Sequence, residues 1–497
     1  MKRNIVKTII ATLLFVGLGG CSSDYFDVNT PSGTAQPEQL RMGDLLAPII
    51  YQTMYGQLYS AEQALGNYTQ YFVGQGGTAA GETTASGLWS SVYLYSLPNL
   101  KTIKEKADEI GAIHYGAVAD ILTAINIGIA TDTWDNIPYS EATFGQENLF
   151  PSFDSQESVY TSIFALLDSA ISALQATDDS GFTPGVDDLI YHGNMDKWLR
   201  AAYTLKARYQ LHLVNKGVTS ASDVLTTIAN GFTSNADDFQ MFYDSKNINP
   251  WYSQEVLARN TGNFHNDLAS QFVSSMNGDY YPFAGGVVEI DPRLPIHGQN
   301  GGAAEWKGFV SGGGGDSPDG TPGNAQFLGD GSLFGYYTSI DSPLVLISYG
   351  EALFIKAEAA FLANGGTPTS VGTNSTAYTA YMDGIAASMS KFGADGADYM
   401  ADTAIDVGQG ALMLNHIMKE KYIHNFLNPE TFVDFRRYDF SDQVFIGLTI
   451  REESDSSGEY VGQWFRRATY PSTELNRNSD VVQANQKTPV TPVWWEN

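Results

Sequence analysis

Cysteine is all but missing from this chain: Cys21 stands alone in 497 residues. A single thiol builds neither a disulfide framework nor a zinc cluster, and no cysteine nucleophile is signalled. Basic residues are scarce too. Lysine and arginine total 27 against 55 aspartates and glutamates, a net charge of −28. Phosphate binding needs a basic surface, so nucleic acid is excluded as a partner, and an anionic membrane surface is excluded as the main attraction. The seven histidines form no H-E-x-x-H pattern, and neither a G-x-S-x-G elbow nor a D-x-[DN]-x-[DN]-G calcium loop occurs. No enzyme, cofactor or metal is therefore expected. A glycosidase needs a spaced pair of carboxylates, and no local pattern selects one among the acids. Gly74-x-Gly76 is faintly like a dinucleotide fingerprint, but no strand is expected before it. Past the N-terminus no hydrophobic run approaches about 18 residues, so no further segment is expected to enter a membrane.

What the chain does have begins at its first residues. Lys2, Arg3 and Lys7 precede an apolar stretch over 9–18 that is too short to span a bilayer, so 1–20 reads as an export signal. Leu18-Gly19-Gly20-Cys21 resembles a bacterial lipobox, with cleavage before Cys21 and lipidation of its thiol. Multiple acyl chains would hold the mature protein stably on a membrane. The acids at Asp24 and Asp27 just after that anchor resemble surface-export signals of Bacteroidetes lipoproteins, so an outer-membrane, cell-surface location is expected. With 43% hydrophobic and 16% charged residues the remainder is globular. Tyrosines (28) outnumber lysine and arginine together (27). An apolar ring with a polar rim suits contact surfaces such as carbohydrate or peptide sites.

Helical periodicity dominates. Helices are predicted over 38–72, 89–110, 115–130, 158–174 and 195–214, and again over 343–362, 378–392 and 410–427. In the 343–362 helix Leu346, Gly350, Leu353, Phe354, Ala357, Ala360 and Phe361 share one broad face, with Ser348, Glu351 and Glu358 opposite. Ala357-x3-Phe361 matches a fragment of the tetratricopeptide pattern, and small residues on the apolar face allow close helix pairing. Residues 236–339 change character, with Gly, Pro, Asn and aromatics in loops too long to be idle connections. The fold expected is mainly α: a tetratricopeptide-like helix-pair scaffold with a long irregular insert and few short strands. The division is a single domain over 21–497, with scaffold at 36–235 and 340–440, a ligand-binding insert at 236–339, and turns and short strands at 441–497.

Several motifs occur in a familiar order. Ser348 to Ala359 (SYGEALFIKAEA) resembles a helix usually written SYPEVLFIKAEA, with Gly350 where proline is commoner. Asp132 to Ala142 (DTWDNIPYSEA) is similar to a D-x-W-G-D-x-P-Y-S-E-A loop, with Asn136 replacing the second acid. Asn249-Pro250-Trp251-Tyr252, Asp291-Pro292-Arg293-Leu294, the 417–426 segment with Phe435-Arg436-Arg437, and Arg467, Tyr470-Pro471, Glu474 and Asn476 complete the series. With Cys21, the chain resembles the SusD/RagB family, in its branch of SusD-like nutrient-binding outer-membrane lipoproteins. That resemblance implies a surface lipoprotein that sits as a lid on a SusC-like TonB-dependent transporter and captures oligosaccharides or, in the RagB branch, peptides.

A binding site for such ligands wants flat aromatic faces plus amides and hydroxyls. The loop after the first helix offers Tyr71, Gln75 and Trp89, with Tyr68 nearby, and Trp89 beside Tyr93 also fits a core position. The insert offers Tyr280, Tyr281, Trp306 and Tyr336, with Phe309; Trp306, in a Gly-rich surround, is the leading candidate. Trp251 reads as structural. Arg436, Arg437, Arg466 and Arg467 are expected to fork onto acids such as Glu430, Asp434 or Glu474. Two other readings compete: a helical-repeat surface scaffold that binds only protein, and a secreted glycosidase.

Overall fold

The computed structural model describes residues 40–77, 81–327, 335–450 and 458–496; the export signal, Cys21 and the tether lie outside them. Helix α1 (Met42–Met54) continues through a π turn at Tyr55–Ser60 into Ala61–Leu65. The π turn widens the helix where Gly56 meets Ser91, since a Cβ on Gly56 would lie 2.4 Å from the serine Cβ. The predicted helix over 38–72 stops short of Phe72, because Gln70 takes a left-handed turn (φ 53°) that leads into strand β1 (Phe72–Gly74). A strand therefore does precede Gly74-x-Gly76, but it is a three-residue edge strand with no βαβ unit around it.

Helix α2 (Leu97–Ile110) ends at Gly111, in the left-handed conformation. Helix α3 (Ile113–Trp134) is long and apolar enough to cross a membrane, contrary to the sequence expectation, but 78% of its most apolar stretch is buried inside the protein. It is the axle of the core. Helices α4 (Gln156–Leu174), α5 (Met195–His212) and α6 (Ala221–Ile228) start on Ser155, Asn194 and Ser220, whose side chains each accept from the backbone N–H three residues on. Each of α2 to α6 packs on the next, the helix-pair scaffold expected.

The insert carries short strands: β2 (Phe239–Met241), β3 (Asn266–Leu268), β4 (Gly298–Gln299) and β5 (Gln326–Phe327). Strand β6 (Leu344–Ile347) pairs antiparallel with β2 and occupies what periodicity assigned to the start of a helix. Its sequence, LVLI, buries every residue, so apolarity there is no guide to a face. Helix α7 (Tyr349–Ala363) then starts on Ser348, whose hydroxyl accepts from Glu351 N–H. Helices α8 (Ser375–Phe392), α9 (Leu414–His424) and α10 (Glu430–Arg437) follow, with α8 and α9 packed on α7. Among the described residues of 441–496 there are no strands; Ser472–Arg477 and Ser479–Asn485 are short helices instead.

The face of α7 assigned to Ser348, Glu351 and Glu358 is not solvated. Both glutamates are 0% exposed, and the helix is buried nearly all round. Their charges are met inside. Arg208 donates through Nε and Nη2 to Glu351 (2.8 and 2.6 Å), and Glu430 receives His212 Nε2 at 2.7 Å. Tyr160 donates to Asp132 (2.6 Å), as does the indole of Trp495 (2.8 Å). Glu358 pairs with Arg437 at 2.8 Å, while Asp434 takes both Arg437 and Lys421. Of the acids expected for the motif arginines, Asp434 serves; Glu430 serves Arg208 and His212 instead, and Arg466 and Arg467 pair with Glu496 and Asp135. A buried charge left alone is very costly, so each network constrains the elements it joins.

A candidate binding cleft at Trp306

A four-stranded antiparallel sheet in the order β1-β3-β5-β4 gathers the loops. Phe72 faces Leu268, Asp267 faces Gln326, and Gly298 faces Phe327. This joins the loop after α1 to the insert. Gln75 N–H donates to His265 O (3.1 Å), and Gly312 N–H donates to Gly77 O (2.8 Å).

Beside that sheet opens a cleft of about 600 Å³, walled by Trp306 and Tyr280 and edged by Asn277, Asp279, Lys307 and Asp319. Trp306 is half-buried. Its ring lies over Gly298, where a Cβ would come within 3.4 Å of the indole and 2.3 Å of Leu268. The backbone around it is clamped from both sides. Asn277 Nδ2 donates to Trp306 O (3.0 Å), while Asn324 accepts from Lys307 N–H (2.9 Å) and donates to Glu305 O (2.9 Å). Tyr280 rests on Gly447, whose left-handed backbone and missing side chain leave room for the phenol ring; a Cβ there would sit 2.4 Å away. The next stretch is pinned by Asp402, which accepts from Ala284 and Gly285 N–H groups.

Asp319 accepts from Ser317, Thr321 and Lys307, and these bonds hold its carboxyl well below the usual range. Lys307, bonded to Asp319 at 2.9 Å, is correspondingly held up as a cation.

The remaining predicted residues fall elsewhere. Tyr71 is 0% exposed, stacked on Tyr422 and bonded through its hydroxyl to Tyr422 O and Thr431, so it is core and cannot meet a ligand. Trp89 is also core, edge-on to Trp134 and tilted against Tyr93. Tyr68 is likewise buried, and Trp251 is fully so. Gln75 is exposed on the loop tied to the insert. Tyr281 lies off the cleft, accepting from Ile446 N–H, and Tyr336 packs edge-on against Tyr337 and Phe392. The cleft thus unites Tyr280 and Trp306. Its polar members Asn277, Asp279, Lys307 and Asp319 carried no periodic signal; only their nearness to Tyr280 and Trp306 in sequence could have marked them.

The family described as SusD-like, starch-binding and associating with the outer membrane, matches residues 34–471. The chain belongs to the SusD-like family. Solved structures agree on the fold of this SusD-like protein. A chitin-binding SusD homolog from Flavobacterium johnsoniae is 21% identical, covering 92% of this chain and 98% of that one, with a TM-score of 0.70. A SusD homolog from Bacteroides uniformis is 20% identical over 92% and 99% of the two chains (TM-score 0.71). A SusD/RagB family protein from Bacteroides thetaiotaomicron is 22% identical over 92% and 99% (TM-score 0.67). No curated protein matches the sequence. The SusD-like protein is mainly helical, of an outer-membrane-associated family of nutrient-binding proteins.

Proposed function

We propose that this SusD-like protein is a non-enzymatic, cell-surface lipoprotein, anchored through Cys21, that captures oligosaccharide and passes it to a SusC-like TonB-dependent transporter. The observation that carries the binding role is the cleft of about 600 Å³ with Trp306 and Tyr280 on its walls. That volume lies within the range of about 300–1,000 Å³ typical of small-molecule sites, and aromatic faces with nearby amides suit sugar rings. Gln75, on the loop stitched to the insert, is a further contact for a longer ligand; the chitin-binding protein of the same fold makes glycan the first class to try.

Calorimetry against a panel of neutral glycans and peptides tests the reading. Binding to a glycan that falls about tenfold or more in Trp306→Ala, the equivalent of about 1.4 kcal/mol, supports it. Silence across the panel favours a scaffold that binds protein alone, and release of reducing sugar would make the protein a glycosidase. Co-purification of a large β-barrel with the native lipoprotein tests the transporter, and loss of membrane association in Cys21→Ala tests the anchor.

A further inference from the structure

The walls of the cleft are charged in one sense. Asp279, Glu289, Glu305 and Asp319 face it with a single cation, Lys307. That cation is already committed: its Nζ donates to Asp319 (2.9 Å) and Thr321 (2.8 Å) and stands 3.8 Å from Glu305. Among the described residues Asp279 and Glu289 have no cation within ion-pair distance. Among the described residues Asp279 accepts side-chain hydrogen bonds only from neutral donors, Asn277 at 2.7 Å and Ser274 at 3.2 Å, while Lys307 acts on it from beyond ion-pair distance. Lys419, against the Tyr281 ring, is buried and paired with Glu420 at 3.2 Å. Lys307 is thus shared between Asp319 and Glu305, and four carboxylates against one ammonium leave the cleft that holds Trp306 at a net charge of −3.

We infer that the cleft is selective by charge: it admits uncharged or amine-bearing oligomers, such as neutral glycans and amino sugars with free amines, and rejects uronate-rich or sulfated ones. The inference deepens the binding role proposed above and rests on it for its biological meaning. In water-like surroundings a carboxylate about 8 Å from a unit charge changes its local concentration about twofold, and three together about tenfold at low salt. A molecule at −28 adds a long-range field of the same sign. An acidic oligomer would also bring carboxylates to a surface whose one ammonium is taken, and two anions without a shared cation are not compensated by stacking on Trp306.

Collisional quenching of Trp306 measures this without a ligand. The Trp306 contribution is the difference in fluorescence between the intact protein and Trp306→Phe, with each quencher's constant normalised to that on free N-acetyltryptophanamide. At low salt, caesium is expected to quench Trp306 at least about threefold more effectively than iodide, with acrylamide between them. In Glu289→Gln/Glu305→Gln, two surface replacements, iodide quenching should rise and caesium quenching fall, narrowing the ratio by half or more. Equal or stronger quenching by iodide, or a ratio unmoved in the double variant, would overturn the inference. The glycan panel answers separately: a silent panel with caesium preferred removes the feeding role and leaves the charged cleft, whereas glycan binding with iodide preferred removes charge selectivity and leaves the feeding role.

Discussion

The buried ions decide most at the scale of single residues. Arg208 and Glu351 are both inside, joined by two hydrogen bonds, with Arg208 Nη2 also donating to Leu346 O. Glu351→Ala takes both of these hydrogen bonds from a guanidinium in the core, leaving it Glu430 at 3.8 Å, and is expected to cost about 3 kcal/mol or more in chemical denaturation, while the double replacement Arg208→Met/Glu351→Leu should recover most of that loss. A single replacement as mild as the double one would show that the pair is not bearing on its surroundings. His297 gives a second test. Burial, helped by Arg293, holds its ring down to about 3, and neither ring nitrogen has a hydrogen-bond partner among the described residues. Phe272, Phe392 and Phe426 surround it, so the fold accepts only the neutral form. A histidine whose folded value lies below its unfolded value contributes stability that is full above about 6.5 and drains away as pH falls towards 3. His297→Phe should therefore flatten the loss of stability between pH 6.5 and 3 by about one proton, seen as a shallower drop in urea midpoint. Glu62, pushed up to about 8 by burial, works with the opposite sign: it costs stability as pH rises from about 4.5 to 8.

The helices are the elements the sequence states most clearly, because their apolar stripes and caps are local. Ser155, just ahead of the predicted 158–174 helix, caps α4. Where periodicity fails, a long-range partner is responsible. Leu344–Ile347 is apolar enough for either state and becomes a strand because β2, about 100 residues earlier, offers it a ladder. Glu351 and Glu358 look like a wet face until Arg208 and Arg437 arrive from elsewhere in the chain. The site was half legible for the same reason. Trp306 and Tyr280 stand in aperiodic sequence and do line the cleft, whereas Tyr71 and Trp89 are aromatic residues whose cores are assembled from α9, α10 and the tail. Gly350 shows an element explaining a residue. It stands where the family motif has proline, and a Cβ there would be 2.4 Å from the ring of His424, itself held by Ser348 at 2.6 Å. Gly350→Ala raises helix propensity by up to about 1 kcal/mol but forces that ring aside, so a net destabilisation of about 1–3 kcal/mol is expected from denaturant midpoints. A more stable variant would show that the His424 ring can move freely.

The whole molecule carries its charge on the outside as a burden. At −28 the folded surface repels itself, while the internal ion pairs are shielded from solvent. Raising ionic strength from about 0.01 to 0.15 M shortens the screening length from about 30 to 8 Å, so the thermal midpoint is expected to climb with salt over that range. A midpoint that falls instead would mean that surface attraction outweighs the repulsion. The chain is also laced end to end. Tyr71 bonds to Tyr422 O, Trp134 to Thr469 O, and Trp495 to Asp132 across 363 positions. Contacts at such separation close late and slow folding.

The Trp495 indole, 2% exposed, fills the space beside Asp132 that Tyr160 and His212 share from the other side. A growing polypeptide carries that aspartate long before it carries its stopper, so the segment around Trp495 is a keystone and not a fringe. A stop codon just before Trp495 would do more than shorten the chain; it would leave a hole in the middle.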